Sequence, residues 1–272
     1  MELKGKAALV LGAIKGIGKG IGLALAKEGV KVCLNYYDWE ESLQQMEQDF
    51  RDTGTAFHIV RTNLLDTDAI PSLVESAVSA FGHLDILINN IERGGWPVVH
   101  GPYNQGQWDL EMATTLRAKW WVYNSAIPYL KASGNGAVVN ISSIAGLVGR
   151  SGAASPVFND GYAAANRAVS SFTETWAREA APEVRVNELM LGLMETRHGP
   201  NTRGWDLLSE KQRQEIINHT PLGRMGNIED VAKAVLFMIR DAPFMTGGSL
   251  RIDGGYVLGG EHSEPMPRGV LE

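Results

Sequence analysis

Leu11-Gly12-Ala13-Ile14-Lys15-Gly16-Ile17-Gly18 stands between a short apolar run, residues 7–11, and a segment, residues 16–28, in which Ile17, Ile21, Ala24 and Leu25 recur at helical spacing. The pattern predicts a strand turning into a helix through glycines. Removing side chains at 12, 16 and 18 suits a tight turn, which wants glycine for its own reasons. It equally suits a backbone that must approach a diphosphate, because the helix start presents unpaired N–H groups and the positive end of the helix dipole. The position of the turn, at the head of a strand and helix series, favours the binding reading.

The same alternation continues outward. Strands are expected at residues 30–36, 56–60, 86–88, 137–141 and 184–190, and helices at 40–50, 71–81, 107–131 and 162–181. Short, wholly apolar strands alternating with helices imply a parallel sheet covered on both faces. The expected fold is therefore an α/β doubly wound parallel sheet of Rossmann type in a single domain, residues 1–258, with a substrate lid at about 193–209 and a tail at 259–272. At 272 residues one large α/β domain is the natural size.

Composition narrows the function. With 44% hydrophobic and 21% charged residues and no long apolar run, no transmembrane helix is expected. The opening apolar strand is too short for a secretory signal, so a cytoplasmic protein is expected. A net charge of −6 without a basic cluster argues against nucleic acid and for a small-molecule partner. The single cysteine, Cys33, lies in the apolar run Val32-Cys33-Leu34 and reads as packing. The six histidines, His58, His83, His100, His198, His219 and His262, show no ligand spacing, so no metal site is expected.

The spacing GxxxGxG resembles that of the short-chain dehydrogenase/reductase family, and the likeness runs from about residue 5 to 256. Asn89-Asn90 is similar to the family's Asn-Asn-Ala-Gly element, and Val139-Asn140-Ile141-Ser142-Ser143 to the strand bearing its catalytic serine. Tyr162 opens a helix where the catalytic tyrosine belongs. Val184-Arg185-Val186-Asn187, Pro221-Leu222-Gly223-Arg224, Thr246-Gly247-Gly248 and Asp253-Gly254-Gly255 extend the likeness. It implies a nicotinamide cofactor along Gly12, Ile14, Lys15, Gly16, Ile17 and Gly18, with Tyr36, Asn63, Leu64, Asn89, Asn90, Asn166, Gly192 and Thr196 as further contacts. Tyr36 occupies the place of the carboxylate that would bind the ribose diol of NAD, and Lys15 is a cation suited to a 2′-phosphate. NADP is therefore preferred to NAD. Asn63 replaces an aspartate near the adenine and keeps an acceptor oxygen.

The catalytic set implied by the resemblance is Ser143, Tyr162, Asn166 and Thr115, and two of these are departures. In Tyr162-Ala163-Ala164-Ala165-Asn166 the family's lysine is replaced by Asn166, and the family's helix asparagine by Thr115. Residues four apart share a helix face, so an ammonium at 166 would favour the phenolate, whereas Asn166 brings no charge. A protonated phenol still donates, so carbonyl reduction suffers less than alcohol oxidation. Lys119 shares the face of Thr115 and reads first as a solvated or interface lysine, second as a catalytic one. Glu92 reads as a solvated carboxylate before a substitute acid or base, and Arg93 stands beside it. Nineteen positions separate Ser143 from Tyr162, so residues 147–161 are expected to bulge over or beside the cleft. Trp96, Tyr103 and Trp205 fall in expected loops and either stack on a bulky substrate or pack.

Three readings stand: an NAD(P)-dependent oxidoreductase acting on a carbonyl or alcohol; a non-redox lyase, dehydratase or isomerase on the same scaffold; and a catalytically silent subunit. A homodimer or homotetramer is expected, because the family pairs its two long helices, here residues 107–131 and 162–181, with Trp120, Trp121, Phe172 and Trp176 as apolar surface.

Overall fold

The computed structural model describes residues 1–91, 104–196, 205 and 208–260. A seven-stranded parallel sheet runs through it in the order β3-β2-β1-β4-β5-β6-β7. The strands are β1 (Ala7–Val10), β2 (Lys31–Tyr36), β3 (Phe57–Arg61), β4 (Ile86–Asn89), β5 (Gly136–Ser143), β6 (Val184–Leu191) and β7 (Ser249–Ile252). Helices α1 (Gly16–Lys27), α2 (Leu43–Arg51) and α3 (Ile70–Phe81) connect the first four strands. The doubly wound α/β expectation is correct, and its strand and helix limits hold to within a few residues.

Alternation along each strand divides the core. Ala8, Val10, Val32, Leu34, Ile86 and Ile88 face one layer, with Ile21 and Leu25 of α1 and Phe50 of α2. Leu9, Leu11, Cys33, Leu87 and Val138 face the other, with Leu73 and Val74 of α3. Each large side chain so enclosed stabilises the fold by roughly 1.5–3 kcal/mol. Cys33 is buried and burial pushes its thiol up to about 12, so it stays neutral and packs as expected.

Two elements differ from the sequence reading. A seventh strand, β7, was not anticipated: Ser249 and Arg251 are exposed while Leu250 and Ile252 pack against the core, and a four-residue edge strand of that kind has no apolar run to reveal it. The expected helix over 107–131 is three pieces, α4 (Gln105–Glu111), a widened π turn (Met112–Arg117) and α5 (Ala118–Ala132). Within it the Thr114 hydroxyl donates to Leu110 O at 2.8 Å and contacts Glu111 O at 3.4 Å, competing for carbonyls the ladder would use.

Strand order reverses between β1 and β4, and a doubly wound sheet leaves its crevice at the carboxyl ends of the strands there. The glycine turn follows β1, Asn90 follows β4, and Ser143 ends β5. Chain continues through α6 (Ala145–Val148), α7 (Asp160–Ala180), α8 (Glu210–His219) and α9 (Ile228–Leu236). No helix among the described residues is long and apolar enough to cross a membrane.

Candidate active site

The glycine turn is built by close approach. Gly12 and Gly16 hold left-handed backbone (φ 60 and 58). A Cβ on Gly12 would lie 2.5 Å from Asn90 O, and one on Gly18 would strike Gly12 O, so both positions exclude a side chain. Asn90 Nδ2 donates to Leu11 O at 3.2 Å and ties the turn to the end of β4. Nothing lies within 4 Å of the place where a Gly16 Cβ would stand. Lys15 is the N-cap of α1 and gives no side-chain cap, and the first turn carries no acidic residue. Bare backbone with uncapped N–H groups at a helix start fits a diphosphate. Ile14 anchors the turn in the core and Ile17 packs against it.

The remaining nucleotide positions divide. Tyr36 ends β2, half-buried, beside Arg61 of β3. Asn63 Oδ1 accepts from Leu65 N at 3.1 Å, so the amide oxygen already closes a local turn, and Leu64 packs partly on the core. Asn89 is fully enclosed: its Nδ2 donates to Lys119 O at 3.3 Å and to Asn140 Oδ1 at 3.2 Å, and Asn140 Nδ2 donates to Thr173 Oγ1 at 2.9 Å. That chain ties β4, β5, α5 and α7 together. Gly192 passes over Asp253, whose Cα would be 2.5 Å from an added Cβ. Thr196 N donates to Met194 O at 2.7 Å.

Among the candidate catalytic residues, Ser143 is buried at the end of β5, and its Oγ accepts from Ala145 N at 3.1 Å, which orients the hydroxyl at the start of α6. Tyr162 lies in the first turn of α7. Asn159 caps that helix, its Oδ1 accepting from Tyr162 N at 2.8 Å, and the Phe158 ring stands 6.2 Å from the phenol ring. Tyr162 and the residues directly after Ser143, Ile144 and Ala145, belong to one buried cluster, so the segments that carry the serine and the tyrosine pack together. Asn166 is buried one turn on, with Nδ2 donating to Tyr162 O at 3.0 Å.

Lys119 is not the solvated or interface lysine that sequence suggests. It is 1% exposed, and its ammonium donates to Ile91 O at 2.8 Å, just past β4. A long stem on an inward helix face carries the charge to a carbonyl, which periodicity alone does not reveal. Glu111 escaped sequence reasoning altogether. It is buried, and its carboxylate accepts from the Thr115 hydroxyl. The signal was the spacing 111, 115, 119, three polar residues on one helical face.

Residues 147–161 were expected to bulge over or beside the cleft, and part of the segment is packed. Ala154, Val157 and Phe158 are buried with Tyr162, Met190, Trp205 and Tyr256. Tyr256, not anticipated from sequence, fastens this segment by accepting from Ala154 N at 2.6 Å, and burial raises its phenol above the ordinary value. Trp205 is packed and not exposed. Trp176 is likewise no surface residue: it is buried and stacked on Tyr123 at 4.0 Å between ring centroids. Glu92, Arg93, Trp96, His100, Tyr103, His198 and His262, and most of the expected lid and tail, lie outside the described residues. Among the described residues no group of three or more His, Cys, Asp or Glu is placed to hold a metal.

Known proteins share this arrangement. Residues 12–257 match the family model described as enoyl-(acyl carrier protein) reductase. A 3-oxoacyl-[acyl-carrier-protein] reductase of Thermotoga maritima is 34% identical over 262 residues, 95% of this chain and 100% of that one. A cyclohexanol dehydrogenase of an Acinetobacter species is 31% identical, covering 94% and 96% of the two chains. A solved structure from Sinorhizobium meliloti, described as a short-chain alcohol dehydrogenase, superposes with a TM-score of 0.84 at 27% identity over 95% of this chain and 98% of that one. With this sheet order, this glycine turn and relatives of these kinds along nearly its whole length, the chain belongs to the short-chain dehydrogenase/reductase family and is a short-chain oxidoreductase.

Proposed function

We propose that this protein reduces a small apolar carbonyl, or oxidises the corresponding alcohol, with NADP in preference to NAD. The observation that carries the reading is the bare, uncapped start of α1 at Gly16, in the same crevice as the elements bearing Ser143 and Tyr162. Gly12, Gly16 and Gly18 hold the diphosphate through backbone N–H groups. Tyr36 offers no carboxylate to the ribose, and Lys15 meets the 2′-phosphate. When bound, the nicotinamide supplies or accepts hydride. The Ser143 hydroxyl donates to the substrate oxygen, and the Tyr162 phenol gives it a proton during reduction.

Both family partners of the tyrosine are exchanged. Asn166 donates to Tyr162 O and carries no charge, and Thr115 donates to Glu111. Asn166 offers no ammonium to stabilise a phenolate, and a phenol that keeps its proton can donate it, which favours reduction over oxidation. Val157, Phe158 and Met190 around Tyr162 make the surroundings of the phenol apolar and favour an apolar substrate. Residues 193–209 serve as its lid and 259–272 as a tail. A homodimer or homotetramer forms across the long helices, where exposed Trp120 lies beside Met112, Leu116 and Phe172 and meets exposed Trp121 edge-on.

Wild-type protein is to be titrated with NADPH and NADH, then given cyclic ketones and 3-oxoacyl thioesters while nicotinamide absorbance is followed. Tighter binding of NADPH and consumption on cyclic ketones are expected, and no binding of either nucleotide at millimolar concentration would remove the reading. Substrate conversion at constant nicotinamide absorbance would likewise overturn it.

A further inference from the structure

One buried charge has no part in the hydride and proton transfer. Glu188 of β6 is wholly enclosed, and its carboxylate is met by serine hydroxyls from three different elements. Ser142 Oγ of β5 donates to Oε1 at 2.5 Å. Ser170 Oγ of α7 lies 3.0 Å from Oε1 and 2.9 Å from Oε2, and the Ser249 hydroxyl of β7 donates to Oε2. Enclosing a carboxylate is costly, and an apolar side chain would fill the same place without that cost. The group is therefore to be understood by what it holds.

Two of its partners lead to the reacting residues. Ser142 directly precedes Ser143 on β5. Ser170 lies two turns beyond Tyr162 on α7, and Tyr162, Asn166 and Ser170, each four residues from the next, share one helix face. A second tie joins the same strand and helix: Asn140, the register partner of Glu188, donates through Nδ2 to Thr173 Oγ1 at 2.9 Å. One planar carboxylate thus spans the strand that ends in Ser143 and the helix that carries Tyr162. Hydroxyl bonds to an ionised acceptor are short and strong, so a change at one end is felt at the other. The third partner leads elsewhere. Ser249 stands beside Glu188 in the edge strand β7, on the far side of β6 from Ser143.

We propose that Glu188 is a positioning residue for the reaction: its carboxylate, gripping Ser142 and Ser170 together, sets how the Tyr162 phenol stands relative to the Ser143 hydroxyl. The inference rests on the carbonyl reading given under Proposed function. Wild type, Glu188→Gln, Ser142→Ala, Ser170→Ala and Ser249→Ala are to be compared in kcat, KM, NADPH affinity and denaturant midpoint, on whichever of those cyclic ketones and 3-oxoacyl thioesters wild type reduces fastest. A small misplacement of reacting groups costs up to about 100-fold in rate. Glu188→Gln is accordingly expected to lower kcat about 5- to 50-fold, with KM and NADPH affinity unchanged within about 2-fold. Ser142→Ala and Ser170→Ala lower kcat by less, and their effects largely vanish once residue 188 is glutamine. Ser249→Ala loses a bond of the same kind and lowers the denaturant midpoint, but leaves kcat as it is.

An unchanged kcat in both Ser142→Ala and Ser170→Ala, an equal kcat loss in Ser249→Ala, or a loss carried by KM or NADPH affinity would each overturn the positioning role while carbonyl reduction stands. If Glu188→Gln does not fold, the three serine variants decide. Wild type that reduces none of these carbonyls would overturn the reading under Proposed function, and this inference with it.

Discussion

Around β1 and α1 the surface offered to a ligand is backbone: Gly12, Gly16 and Gly18 strip away side chains, and the open helix start presents N–H groups. Around β5, β6 and α7 it is side chains, held through bonds to neighbouring backbone and side chains. Ser143 accepts from Ala145 N, Asn159 caps the turn that carries Tyr162, and Asn89, Asn140 and Thr173 form a buried chain beneath them. Beside that chain the buried Glu188 carboxylate takes Ser142 Oγ at 2.5 Å, Ser170 Oγ at 2.9 Å and the Ser249 hydroxyl. A backbone site tolerates few substitutions but depends on few partners. A side-chain site leaves each member replaceable and moves the cost into the network that orients it.

The comparison can be broken in order of expected effect. Tyr162→Phe removes a proton donor and keeps the ring against Phe158. Turnover is expected to fall about 100- to 10,000-fold, with nucleotide affinity unchanged by titration; parallel loss of binding would show that the two halves are not separable. Gly18→Ala drives a methyl into the backbone carbonyl of Gly12, which cannot give way as a flexible side chain would. It is expected to cost about 1–3 kcal/mol in denaturant unfolding and to abolish NADPH binding, and normal binding would contradict the close-approach account of the turn.

Glu188→Gln keeps every active-site side chain but gives three serine donors an amide that also donates. A loss of about 1–3 kcal/mol in stability is expected, with Tyr162-dependent turnover altered less than in Tyr162→Phe; full stability would mean the network is not cooperative.

The smallest effect lies on the surface at the start of α9. The Arg224 guanidinium holds the Asp230 carboxyl below the usual carboxylate range, bonding it at 2.7 Å. A depressed carboxylate contributes stability that is present above its unfolded value and lost as pH falls through the folded one. Asp230→Asn should therefore destabilise at neutral pH by under about 1 kcal/mol, because both partners are partly exposed. The difference from wild type should vanish in acid, and a gap that widens as pH falls would contradict the assignment.

The first half was the more legible from sequence for a physical reason. Glycines at fixed spacing after an apolar strand announce a backbone function locally, and Cys33 in its apolar run announced a packed strand. The second half offered Ser143 and Tyr162 as candidates only through the likeness of their surroundings to the family's motifs. Lys119 read as solvated and is enclosed, because the helix face that points inward is set by a π turn that no hydrophobic period marks. Trp176 read as interface and stacks in the core, because an amphipathic helix pattern does not say which aromatic meets Tyr123. Asn63 and Asn89 read as nucleotide contacts, yet their side chains also close a local turn and a buried chain.

Amino-acid order alone determined the strand and helix alternation, the parallel sheet, the bare turn at its head and the types of group available for proton transfer. These depend on neighbours a few residues apart, where periodicity and backbone freedom act. Tertiary structure decided which charges are enclosed, as at Lys119 and Glu188, and which amides spend their hydrogen bonds on the fold. Burial and pairing across strands arise only once the sheet is assembled, so no local pattern records them.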